Sequence, residues 1–227
     1  MKKDFPYLDV LTGSALFADI KRSDAAAMME CLGGSAAHYK SGETILREGE
    51  AADRLGLVLT GRAQVTRTDY DGNRSVLTDV GPGEMFAEAF AFADVARMPV
   101  DVTAVEPTDV LLLDAHRITH TCTNACEFHN RLILNLLGVV ASKNLAMNRK
   151  LEITSRRTTR EKLLTYLEMQ AKAHGSAVFM IPFDRQALAD YLEVDRSGLS
   201  AEIGKLRREG VLESEKNRFT LLRSGNE

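Results

Sequence analysis

The chain has 227 residues, 44% of them hydrophobic, with 29 Lys and Arg against 32 Asp and Glu and a formal net charge of −3. That length accommodates one large domain or two smaller ones with real cores, and the overall charge by itself points to no nucleic-acid partner. No apolar run approaches the roughly 18 residues of a membrane span, and the start MKKDFPYLDV lacks the apolar core of a secretory signal, so a cytoplasmic protein without a membrane partner is expected. Three cysteines, Cys31, Cys122 and Cys126, are an odd count that argues against a disulfide framework.

From about Ala37 to Asp114 short apolar runs are punctuated by Gly42, Gly49, Gly61, Gly72, Gly81 and Gly83, the pattern of an antiparallel barrel or sandwich. LGLVLTGRAQVTRT, DGNRSVLTDV, VDVTAVEP and DVLLLD are the clearest strands, and Asp71-Gly72 signals a hairpin. From Glu127 to Leu151 a proline-free segment with apolar residues at Leu132, Leu136, Val139, Ala146 and Met147 predicts one long helix. Its apolar content exceeds what a single face against the barrel needs, so a second copy of the chain is the expected partner. Glu152 to Arg157 is a candidate hinge. Thr158 with Glu161 forms a capping box for a further helix that ends at Gly175.

The stretch from Arg185 to Leu212 reads as a helix-turn-helix. Asp184 is the N-cap of a helix with Leu188, Ala189 and Leu192 on one face, Glu193 and Val194 make the connection, and Asp195 caps a second helix with Leu199, Ile203 and Leu206 as its buried stripe. The opposite face carries Arg196, Ser197, Ser200, Ala201, Lys205 and Arg208, side chains suited to base edges and phosphates in a major groove. VLESEKNRFTLL then reads as a hairpin turning at Lys216-Asn217, the wing of a winged helix. Charge is divided accordingly: residues 1–149 hold 15 Lys/Arg against 20 Asp/Glu, and residues 150–227 hold 14 against 12. The expected class is therefore α+β: an N-terminal antiparallel, jelly-roll-like β-barrel (1–126), a long dimerisation helix (127–153) and a C-terminal winged helix-turn-helix (154–227).

In this order, SGETILREGE, LGLVLTGRAQV, VGPGEMFAEAFAF and FDRQALADYLEVDRSGLSAEIGKLRREGVLE resemble the successive signature segments of the Crp/Fnr family of bacterial transcription regulators across almost the whole chain. The resemblance implies a homodimer that binds a palindromic operator in double-stranded DNA, works with RNA polymerase and answers to a small-molecule effector. DNA contacts then fall on Arg185, Arg196, Ser197, Ser200 and Lys205. Arg196 matches a base-contacting arginine, whereas Ser197 and Ala201 stand where an acidic residue and a second arginine are common, so the half-site should differ from the family's familiar ones.

The effector site implied by the resemblance comprises Gly83, Glu84, Met85, Phe86, Met98, Pro99, Leu145 and Ala146. Gly83-Glu84 matches the ribose-contacting pair of cyclic-AMP-responsive members, but Met98 and Pro99 replace the Arg-Ser pair that binds the cyclic phosphate. A thioether and a prolyl ring offer an anion no donor, which disfavours cyclic AMP and favours a largely uncharged ligand or prosthetic group. A one-residue slip would bring Arg97 to the phosphate, at the cost of turning Val100, Val102 and Ala104 to the other face. Leu145 and Ala146, on the long helix, lack the hydroxyls of the family's nucleotide contacts. Glu84 reads equally as a turn carboxylate.

His120, Cys122, Cys126 and His129 could hold a metal or form a redox pair, or could be a packed connection between helices. His38, His116, His120 and His129 are available to haem. No metal set is complete, three cysteines do not hold a four-cysteine cluster, and the cofactor stays unassigned. The chain shows no nucleophile-base motif and no Gly-rich phosphate loop, so no enzymatic activity is expected. The alternative to an effector-controlled regulator is a constitutive or partner-controlled binding module that keeps the barrel.

Overall fold

The computed structural model describes residues 5–72, 74–93, 95–119 and 127–222. The chain divides into two compact units, 1–142 and 143–227. In the first unit, α1 (Leu8–Gly13), a 3-10 turn at Ala15–Phe17 and α2 (Arg22–Cys31) precede the strands. These are β1 (Ser35–Tyr39), β2 (Thr44–Leu46), β3 (Arg54–Thr60), β4 (Ala63–Thr68), β5 (Arg74–Val80) and β6 (Met85–Phe86), then α3 (Glu88–Phe92), β7 (Asp101–Ala104), β8 (Thr108–Asp114) and α4 (Ala115–Thr119). They form two antiparallel four-stranded sheets, β1-β8-β3-β6 and β2-β7-β4-β5, in the jelly-roll-like form expected.

Alternation along β3 explains why its sequence is almost continuously apolar. Leu55, Leu57 and Leu59 face a helical layer with Leu11, Phe17, Leu32 and Ile118, while Val58 and its neighbour Val110 in the same sheet face Val65 and Val102 of the second sheet. A strand covered on both sides has no solvent face to mark with polar residues. Gly56 lies between these leucines because the Phe86 ring rests on it: a Cβ there would stand 2.0 Å from Phe86 Cζ.

The helix α5 (Glu127–Thr154) runs three residues past the expected Leu151, and the boundary between the two units falls inside it. Leu132 and Leu136 are buried in the first unit, and Ile153 is 1% exposed in the core of the second. The expected hinge segment Glu152–Arg157 contains the end of α5 and the turn at 155–157 that leads to α6. Its first three residues are helical, and burial of Ile153 anchors them to the C-terminal core.

The second unit continues with α6 (Thr159–His174), β9 (Val178–Met180), α7 (Arg185–Leu192), α8 (Arg196–Arg208), β10 (Leu212–Glu215) and β11 (Arg218–Leu221). The caps form where the local sequence places them. Thr158 and Glu161 make a reciprocal capping box, Gly175 ends α6 at φ 61°, and Asp184 and Asp195 each accept a backbone N–H of their own helix. The sheet order is β10-β11-β9, with Glu215 paired to Arg218 around the expected Lys216-Asn217 turn.

Candidate nucleic-acid interface

The two faces of α8 differ completely. Leu199, Ile203 and Leu206 are sealed into a core with Leu188, Leu192, Leu163 and Phe219, whereas Arg196, Ser197, Ser200, Ala201, Lys205 and Arg208 are exposed. Arg160 of α6 braces the helix by bonding Glu202 at 3.4 Å and Glu209 at 2.6 Å. At its N-terminus the Asp195 carboxylate accepts from the Ser197 hydroxyl and from Gly198 N at 2.8 Å, which holds its pKa below the usual carboxylate range. Ser200 Oγ donates to Arg196 O at 2.9 Å. Both serine protons are thus committed within the helix, so these hydroxyls face a ligand chiefly as acceptors, a role suited to base amino groups rather than phosphates.

Gly204 lies among the exposed side chains of α8, next to Ser200, Ala201 and Arg208. A Cβ there would meet nothing closer than Arg208 Nη1 at 3.6 Å, so the protein's own packing does not call for glycine. Arg185 stands differently from the others: it is half-buried, its guanidinium lies 5.7 Å from the Phe219 ring centroid, and it donates to Lys216 O at 3.4 Å. It therefore holds the wing turn against α7. Arg185, Arg196, Lys216 and Asn217 border a cleft of about 600 Å³ between the starts of α7 and α8 and the wing.

Lys150 near the end of α5 was not among the expected site residues. Its ammonium donates to Tyr191 O, pairs with Glu193 Oε1 at 3.2 Å and lies 4.6 Å from the Tyr191 ring centroid. Glu193 occupies the connection between α7 and α8 with φ 53°, and Lys162 Nζ donates to its carbonyl at 3.3 Å. The turn of the helix-turn-helix is thereby fastened to two preceding helices. Tyr191 packs beside Phe183 and Tyr166 at ring distances of 4.9 and 5.4 Å.

Of the expected effector residues, six lie in the first unit and Leu145 and Ala146 in the second. Gly83 takes φ 81° in a turn where Glu84 Oε2 accepts from Gly81 N at 2.8 Å, so Glu84 is an exposed turn carboxylate. Met85 belongs to the helical core, whereas Phe86 and Met98 belong to the core between the sheets. Pro99, Leu145 and Ala146 are exposed, the last two in the other unit. Phe86 and Met98 are each only 2% exposed, so a ligand reaching them must displace core side chains. Arg97 is exposed and donates to Gly49 O at 2.7 Å.

His120, Cys122 and Cys126 lie outside the described residues, so the cysteine-histidine motif has no structural reading. His129 is buried with Nε2 3.2 Å from Arg117 O, and His38 Nδ1 is 2.9 Å from Asp109 Oδ1. Among the described residues no group of three or more His, Cys, Asp or Glu is arranged to hold a metal. No described helix is long and apolar enough to cross a membrane.

Comparison with known proteins matches residues 36–124 to the cyclic nucleotide-binding domain family and residues 161–224 to the Crp-like helix-turn-helix domain family. The chain is 24% identical to the transcriptional activator protein FnrL of Cereibacter sphaeroides over 81% of its own length and 75% of that protein. It is 30% identical to a CRP-like cAMP-activated global transcriptional regulator of Mycobacterium tuberculosis over 43% of each chain, so that match spans less than half the relative. The crystal structure of DNR from Pseudomonas aeruginosa shares the fold, with a TM-score of 0.51 and 20% identity over 98% of this chain and 96% of that one. With the two family segments in this order around a long helix, the chain belongs to the Crp/Fnr family of DNA-binding transcription regulators.

Proposed function

We propose that the protein is an effector-responsive homodimer that reads a palindromic DNA operator with α8 and acts in the cytoplasm together with RNA polymerase, without catalysing a reaction itself. The observation that carries this reading is the two-faced α8: an apolar back sealed into the core and an exposed front of small and basic side chains. Arg196 is the candidate for a bidentate guanine contact, and Lys205 for a phosphate. Arg185 supports binding by positioning the wing. Dimerisation through α5 is favoured by exposed Leu134, Leu137, Leu145, Met147 and Leu151.

The effector is unlike cyclic AMP on this reading. Met98 and Pro99 supply no donor, and Arg97 is engaged with a backbone carbonyl. The covered positions of Phe86 and Met98 favour, as a second reading, a regulator that binds DNA constitutively. Selection of bound sequences from a random DNA library, followed by affinity measurements over a salt series with and without cyclic nucleotides, tests the operator reading and the exclusion of cyclic AMP. A palindromic consensus with half-sites about one helical turn apart and no response to cyclic nucleotides is expected. Sequence-independent binding alone would remove the operator reading.

A further inference from the structure

A smaller cavity lies in the first unit. It measures about 220 Å³, is lined by Gly33, Ser35, Arg54, Leu112, Asp114 and Arg117, and shares none of these with the expected effector or DNA-binding sets. Strand register builds it: Arg54 of β3 stands opposite Asp114 of β8, and Ser35 of β1 stands opposite Leu112, two residues back on the same face of β8. Leu112, buried in the core between the sheets, is the floor. Arg117 enters from α4, a short helix fixed by burial of Ala115 and Ile118. Gly33 gives it room. With φ 62° and no side chain, Gly33 leaves free a position at which a Cβ would stand 3.2 Å from Arg117 Cδ, so the arginine stem lies along the cavity wall.

The lining carries two guanidiniums against one carboxylate. Asp114 Oδ1 already accepts from the backbone N–H groups of His116 at 2.9 Å and Arg117 at 3.2 Å, so that oxygen is committed to the first turn of α4. Asp114 Oδ2 is 3.6 Å from Arg117 Nε, and Asp53 Oδ1 is 3.9 Å from Arg54 Nε, both longer than a hydrogen bond. Each arginine fork therefore keeps donors for a ligand, and the Ser35 hydroxyl can add another. Donors converging from β1, β3 and α4 suit a tetrahedral oxyanion with several terminal oxygens better than a carboxylate, which one fork satisfies. The volume falls below the roughly 300–1,000 Å³ of sites for drug-sized molecules, so the ligand is small. Both arginine side chains are more than half exposed, which makes this a site for a freely exchanging ion.

We infer that this cavity binds a phosphoryl group, as free inorganic phosphate or as the end of a small phosphate monoester, through Arg54, Arg117 and Ser35. It gives the protein an anion site separate from its DNA face, and it does not depend on the operator reading above. The test is isothermal titration calorimetry of the full-length protein with inorganic phosphate and, separately, with glycerol phosphate at constant ionic strength, alongside Arg54→Gln/Arg117→Gln. The wild type is expected to bind at the cavity and the double variant roughly tenfold or more weakly, the factor that one lost charged hydrogen bond is worth. Tighter binding of glycerol phosphate would assign the ligand to the monoesters, and tighter binding of inorganic phosphate to the free ion. No binding of either at millimolar concentration would overturn the inference. So would binding that the double variant retains in full, because the anion would then sit elsewhere, as on the basic face of α8. Circular dichroism establishes that the variant is folded. Should it not be, Arg117→Gln alone serves, and affinity equal to the wild type would overturn the assignment.

Discussion

Replacing Lys150 tests whether the helix-turn-helix is fastened to the long helix. Its side chain is two-thirds covered, with an exposure of 32%, and its ammonium makes three contacts with the end of α7. A charged hydrogen bond to a carbonyl is worth about 1.5–3 kcal/mol. A cation over a tyrosine ring adds about 0.5–1 kcal/mol. The pair with Glu193, whose side chain is 61% exposed, adds at most a few tenths of a kcal/mol. Because one ammonium makes all three, the contributions overlap, and Lys150→Met, which keeps the aliphatic stem, should cost about 2–3 kcal/mol. For a unit of this size that is a fall of roughly 10 °C in its melting temperature. The chain has no tryptophan, so near-UV circular dichroism of the packed Tyr166 and Tyr191 is the natural probe during urea unfolding. Glu193→Gln should cost under about 1 kcal/mol, since it removes only the exposed pair. A loss below about 0.5 kcal/mol for Lys150→Met would refute the fastening.

Tyr166 is 2% exposed, burial pushes its pKa up to about 12, and its hydroxyl has no hydrogen-bond partner among the described residues. Tyr166→Phe should therefore stabilise the second unit by about 1 kcal/mol in a thermal melt at neutral pH. Because the folded pKa lies above the unfolded value near 10, the wild type should lose stability as pH rises from about 10 through 12, and the phenylalanine variant should lack that component. Arg196→Ala should cost about 1–3 kcal/mol at the selected operator and relax one base pair per half-site, while Lys205→Ala should weaken all DNA alike and flatten the salt slope. Equal losses on selected and random DNA would make Arg196 a phosphate contact. Gly204→Ala should raise the free protein's stability by up to about 1 kcal/mol yet weaken operator binding several-fold in an anisotropy titration. An unchanged affinity would detach Gly204 from the groove.

What was legible in the sequence was local. Thr158 with Glu161, Asp184, Asp195 and Gly175 act within a turn of their own helices, and each takes the predicted role. The alternation of Leu55, Leu57 and Leu59 against Val58 likewise needs only the strand that holds them. Contacts between distant residues were not legible. Lys150 and Tyr191 are 41 positions apart, and nothing in the spacing of either announces the other. Burial of Ile153 depends on the core of the second unit, which nothing in the polar-looking segment around it announces. Met85 and Phe86 were grouped by adjacency, but neighbours on a strand point to opposite faces and enter different cores.

The ring of Phe86 on Gly56 bears on how sensitively such a protein could answer a signal. A molecule that acts between the sheets can bind only those copies in which the ring has swung aside. Its observed dissociation constant is then the intrinsic one divided by the fraction of copies already open, so an open population of about 1% weakens apparent affinity about 100-fold. The dose at which a response to such a molecule would begin would therefore be set by how tightly this phenylalanine packs. Trimming that ring should shift the half-maximal dose downward while leaving the operator sequence untouched.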